Sequence, residues 1–139
     1  MRILSIDSSL GTQLAVVDAG GRLAVLGSGE GWIEGAVLGL SGTHPGRIGV
    51  RIGYDEPLAH RMQAGCDAIL IPSRFEPCGL NQMYSQAYGT PPIVRATGGL
   101  ADSVVDLDES PPTATGFSFG PDEAGALQAA LERAHAAFR

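Results

Sequence analysis

Four short, continuous apolar runs, GRIGVRI, DAILIP, PPIVRA and GFSF, divide most of the chain between them and constrain its fold more than any other feature. A strand that is apolar on every residue must be covered on both faces. Strands covered in that way belong to parallel sheets flanked by helices. The intervals are long enough to supply such helices, expected over 30–40, 56–64, 80–88 and 122–138. In the last of these, Leu127, Ala130, Leu131, Ala134 and Phe138 recur at spacings of three and four and so share one inward face. Pro121, Asp122 and Glu123 suit its first turn. The Pro-rich stretch DESPPTATG reads as a surface loop.

The beginning of the chain has a different rhythm. RILSID, TQLAVVD and GRLAVLG are β-like runs separated by SSLG and AGG, residue types suited to tight turns. Local chemistry of this kind predicts an antiparallel meander over residues 1–25. At 139 residues the chain fits one domain. The expected architecture is therefore a single α/β domain: a Rossmann-like, largely parallel sheet flanked by helices over 26–139, extended or filled at its N-terminal part by an antiparallel β-hairpin.

Charge and composition narrow the partners. Fifteen acidic residues against nine basic give a net charge of −6, and the basic residues do not cluster, so a nucleic-acid partner is not expected. Every basic residue is an arginine, which excludes any mechanism that depends on a lysine of this chain. Cys66 and Cys78 follow no metal-ligand spacing, so neither a metal site nor a cofactor is expected. No long apolar run suggests a membrane partner or a signal peptide, and a cytoplasmic setting is the expectation.

The chemistry concentrates between Pro72 and Leu100, PSRFEPCGLNQMYSQAYGTPPIVRATGGL. A strand ends at Pro72 and a helix is expected to begin near Gly79, so the backbone N–H groups of Gly79, Leu80 and Asn81 can point at one place. Helix N-termini of this kind hold anions, phosphate above all. In an open α/β sheet, ligands sit beyond the carboxyl ends of the strands, where Glu76, the turn Gly27, Ser28, Gly29 and the pair Gly53, Tyr54 would all lie. Each residue also has a structural reading. Glu76 can cap the helix that follows it, Cys78 can be a small buried hydrophobe, and Tyr54 can belong to the core with its hydroxyl at the surface. Arg74 and Arg95, at strand ends, suit a phosphate contact or a surface ion pair equally.

Taken in order, LGSGE, HPGRIGVRIGYDEPLAHRMQAGCD, IPSRFEPCGLNQMYSQAYGTPPIVRATGGLADSVVD and TGFSF resemble the C-terminal, nucleotide-sugar-binding domain of bacterial glycogen (starch) synthases, over residues from about 23 to 139. The resemblance implies one half of a two-domain glycosyltransferase fold (GT-B) and a retaining transfer of glucose from ADP-glucose to an α-1,4-glucan. Under it, Glu76 looks like the carboxylate that opens the family's E-x7-E motif and contacts the donor sugar. Tyr54 resembles the aromatic residue packed on adenine, and Cys78, Gly79, Leu80 and Asn81 would face the glucose and the distal phosphate. Tyr84 stands where the general motif has its second glutamate. The implied ligands are ADP or ADP-glucose, with the glucan held only by a second domain that this chain is expected to lack. It is therefore expected to be inactive alone.

Two departures accompany the resemblance. The family's donor site uses a lysine and an arginine near the first strand, and no lysine is present. Residues 1–25 instead resemble the opening of the dimerisation subunit of the bacterial threonylcarbamoyladenosine tRNA-modification system, which implies a chimaera joined within GRLAVLGSG. A non-catalytic interaction module, or a recombined domain without activity, is the alternative function.

Overall fold

The structure, a computed structural model, describes residues 1–5 and 21–138. Six strands form one sheet: β1 (Arg2–Ser5), β2 (Arg22–Gly27), β3 (Ile48–Ile52), β4 (Ala68–Ile71), β5 (Pro92–Arg95) and β6 (Phe117–Phe119). Their order across the sheet is β3-β2-β1-β4-β5-β6, and every pairing is parallel. The helices are α1 (Gly31–Thr43), α2 (Glu56–Gly65), α3 (Asn81–Ala87), α4 (Gly98–Ser103) and α5 (Ala124–Ala137). This is the doubly wound, Rossmann-like arrangement, in which the chain reverses its direction of travel across the sheet between β1 and β4.

The expected antiparallel hairpin is not formed by the described residues. RILS lies parallel to RLAV, with Ile3 opposite Leu23 and Ser5 opposite Val25, and it pairs on its other side with β4, where Leu4 faces Ile69. The first strand therefore occupies the centre of the sheet. Tight-turn residues fix only local geometry, whereas a central slot offers backbone partners on both sides, and unpaired buried backbone groups are costly. The run TQLAVVD and Asp7 lie outside the described residues.

Two apolar layers sandwich the sheet, because alternate residues of each strand point to opposite faces. Leu23, Val25, Ile48, Leu70 and Ile93 meet Val37 of α1 and Leu127, Ala130, Leu131 and Ala134 of α5 on one face. Ile69, Ile71 and Val94 meet Leu100, Val104 and Met62 on the other, under α2 and α4. The inward stripe expected on the last helix is present except at its end, where Phe138 is 46% exposed at the C-cap. That helix starts later than its sequence suggests. Glu123 is its N-cap, Pro121 and Asp122 precede it, and Asp122 instead pairs with Arg74 at 3.1 Å.

Candidate functional site

The carboxyl ends of the parallel strands all open on one edge of the sheet, where the topology puts the switch-point crevice of such sheets; the described loops along it are those after β2, β3, β4 and β5. On one side the turn after β2 and the turn after β3 are tied together, the N–H of Gly53 donating to the carbonyl of Gly27 at 2.9 Å. The N–H of Gly29 donates to the Glu34 carboxylate of α1 at 2.9 Å. Gly53 has φ +117, a backbone conformation that suits glycine, and it delivers the chain to Tyr54. Asp55 then caps α2 by accepting from the N–H of Leu58 at 2.9 Å, and the short loop leaves Tyr54 87% exposed. The core reading of Tyr54 is thereby excluded.

The other side is the loop from Pro72 to Leu80 after β4. It is pinned against the start of α4, where the N–H of Gly99 donates to the carbonyl of Glu76 at 3.0 Å. The contact leaves no room for side chains. A Cβ on Gly98 would stand 2.2 Å from the Glu76 carbonyl oxygen, and one on Gly99 2.1 Å from that of Cys78. Glycines at both positions are what allows two stretches of backbone to touch, and they hold Glu76 and Cys78 at the crevice edge. Sequence reading recognised RATGG as a motif but gave these glycines no role. The signal available was a glycine pair immediately after a strand, at the start of a helix.

Most residues singled out in the sequence reach the same edge. Glu76 is half-buried, Cys78 and Leu80 are exposed, and Asn81 begins α3. Glu76 makes no hydrogen bond through its carboxylate to the backbone of that helix, whose N-cap is Leu80. Among the described residues, no backbone acceptor is found for the N–H of Gly79 or Leu80. The Gly27–Gly29 and Gly53–Tyr54 loops face the Glu76 loop across the end of β1. From β3 to β4 is three strand spacings, about 14 Å. Arg74 takes the ion-pair alternative, with Asp122, while Arg95 donates to the carbonyl of Arg74. His60 lies beside the site rather than in it, its Nδ1 3.0 Å from the Tyr88 hydroxyl.

A charged anchor that the sequence did not reveal ties the edge strand β6 to α5. Asp106, 4% exposed, accepts from both terminal guanidinium nitrogens of Arg133, Nη1 and Nη2, from the N–H and hydroxyl of Ser118 and from the N–H of Asp108. Burial pushes its carboxyl up, but the guanidinium and the backbone and hydroxyl donors outweigh that and bring it down to about 2. Arg133 is raised in turn, chiefly by its bond to Asp106. Among the described residues no cluster of metal-ligating side chains occurs, and no helix is long and apolar enough to cross a membrane.

A doubly wound parallel sheet with its loops gathered at the switch point defines the class of Rossmann-like domains that bind ligands at the strands' carboxyl ends. The particular family follows from similarity: residues 51–136 match the family described as Glycosyl transferases group 1, and the chain belongs to it. It is 54% identical to a glycogen synthase of Alkalilimnicola ehrlichii over 134 residues, 96% of this chain and 28% of that protein. To a glycogen synthase of Rhizobium leguminosarum it is 56% identical over 124 residues, 86% of this chain and 26% of that one. Among solved structures it is similar to the catalytic domain of starch synthase IV from Arabidopsis thaliana bound to ADP and acarbose. That similarity has a TM-score of 0.85 and 32% identity, over 99% of this chain and 31% of the other. The chain thus spans about a quarter of the length of the curated relatives it matches. A 134-residue match leaves out only about five residues, so the similarity to a glycogen synthase runs through most of the first 25 as well.

Proposed function

We propose that the crevice holds ADP-glucose and that the chain is the donor-binding part of a retaining α-1,4-glucan glucosyltransferase of the glycogen synthase type. One observation carries the reading: the exposed Tyr54 follows β3 and the Glu76–Asn81 loop follows β4, so both lie at the same edge of the sheet, on either side of the central strand and three strand spacings apart. Tyr54 would stack on adenine, and the open turns at Gly27, Ser28, Gly29 and Gly53 would let the backbone approach the nucleotide. Cys78, Gly79, Leu80 and Asn81 would face the glucose and the distal phosphate. Glu76 would contact the sugar. The glycogen synthase relatives, and the ADP in the starch synthase structure, support this assignment. The continuous similarity also favours a single parentage for the whole chain over a chimaera.

A calorimetric titration of the purified chain with ADP and ADP-glucose tests the proposal. With no lysine to neutralise the pyrophosphate, binding near 1 mM is expected, about −4 kcal/mol. No heat, together with unmoved amide signals of Gly79, Leu80 and Asn81 in excess ADP, would overturn it. Glucosyl transfer to glycogen by this chain is expected to be undetectable, because a transferase must hold donor and acceptor together.

A further inference from the structure

Gln82 has no place in the donor site as described, yet its side chain is fully buried directly beneath that site. Its Nε2 lies 3.1 Å from the carbonyl oxygen of Cys78, 3.0 Å from that of Gly79 and 3.1 Å from the Ser103 hydroxyl. The hydroxyl donates onward to the carbonyl of Gly99 at 2.6 Å, and Gly99 in turn holds Glu76. The Oε1 of Gln82 is buried without a partner among the described residues. A polar group is costly to bury in this way, and apolar packing does not call for a glutamine here.

The consequence follows from peptide geometry. No cis peptide bond occurs among the described residues, and in a trans peptide the N–H points opposite to the C=O. Turning the carbonyls of Cys78 and Gly79 inward to Gln82 therefore turns the N–H groups of Gly79 and Leu80 outward, and neither of these amides finds a backbone acceptor among the described residues. Gly79 at φ +68 followed by Leu80 in the right-handed helical region places two successive N–H groups in a concave arrangement that favours an anion. If either peptide turned over, a carbonyl oxygen would face that position and repel it.

We infer that Gln82 is a positioning residue: from inside the fold it holds the Cys78 and Gly79 carbonyls so that the Gly79 and Leu80 amides face the phosphate of a nucleoside diphosphate. The phosphate half of this statement rests on the ADP-binding reading above; the orientation half does not. Gln82→Met keeps the length of the side chain and removes the donor, and Gln82→Glu keeps its shape while replacing the donor by an acceptor. In the full chain without ligand, residual dipolar couplings of the Gly79 and Leu80 N–H bonds are expected to change in both variants. In Gln82→Met, ADP affinity should fall at least tenfold while adenosine, followed on the Gly53 and Tyr54 amides, binds as before. A lowered melting temperature with unchanged couplings and an unchanged ratio of ADP to adenosine affinity would overturn the inference. If the couplings change but the unsubstituted chain binds no ADP, the orientation role stands and the ADP reading falls.

Discussion

The two walls of the crevice are built on opposite plans. The wall after β4 and β5 is locked from within, by backbone touching backbone at Gly98 and Gly99 and by buried polar side chains beneath. Among the described residues the buried polar side chains are Gln63, on α2, and Ser73, Gln82, Ser85, Thr90 and Asp106, all after β4; none comes from β2, α1 or β3. The wall after β2 and β3 is open among the described residues: a Cβ on Gly29 or Gly53 would meet none of them within 4 Å. The same residue type thus serves opposite ends. On the locked wall glycine removes volume so that two segments can pack, whereas on the open wall its empty space faces outward, where a ligand can approach. The locked wall fixes the groups that would meet sugar and phosphate, and the open wall carries the exposed ring of Tyr54.

Both walls depend on the strand between them, so the largest effect is expected from removing it. Deleting Met1–Asp18 takes away β1, leaving the inner edges of β2 and β4 without the partners they have at Leu23, Ala24 and Val25 and at Ala68, Ile69 and Leu70. Each orphaned buried backbone group costs on the order of 1 to 3 kcal/mol, and several exceed the whole stability of a domain, about 5 to 15 kcal/mol. Thermal and urea unfolding of the truncated chain should lose cooperativity. A sharp transition close to that of the full chain would show that the walls do not share a central support.

Next in size is the locked contact itself. Gly99→Ala puts a methyl group 2.1 Å from a backbone oxygen, and neither partner is the end of a flexible side chain. A loss of about 3 kcal/mol or more is expected, on the order of 10 °C in melting temperature, while Gly29→Ala should stay within about 0.5 kcal/mol of the parent. Equal effects at the two positions would erase the distinction between the walls.

The sequence carried the two halves unequally, for physical reasons. Strands β4 and β5 are legible because a buried parallel strand must be apolar throughout, and α5 because a fourteen-residue helix shows its period, whereas the edge strands β3 and β6 are only partly buried and keep Arg51 and Ser118 within them. The central place of β1 could be inferred only from the family's missing first strand, and its parallel direction is not legible, since SSLG and AGG report local turn preference, whereas pairing with β4 joins residues more than sixty positions apart. Glu76, Gly79 and Tyr54 could be placed at one edge because ligand sites in such sheets fall at the strands' carboxyl ends. Gln82 could not, for it sits on a helix of seven residues, too short to display a face, and a glutamine in isolation reads as surface. Asp106 and Arg133 are hidden for a related reason: their partnership spans 27 residues and crosses from a loop to a helix.

The smallest of these effects concerns that last pair, which anchors the edge strand β6 to α5. The folded carboxyl of Asp106 lies at about 2, below its ordinary value of 3.8, so the folded state holds its proton more weakly than the unfolded chain does. A depressed carboxylate stabilises the fold above its unfolded pKa, and that stabilisation is lost as pH falls through the folded one, here between about pH 4 and pH 2. A shift of this size corresponds to about 2 kcal/mol. Other carboxylates titrate in the same range, so the informative quantity is the difference between the parent and Asp106→Asn. Urea unfolding at pH 6 should show the parent more stable by about that amount, and the gap should shrink steadily at pH 4, 3 and 2.5. A gap of constant size across the series would mean that Asp106 contributes through shape and neutral hydrogen bonds alone.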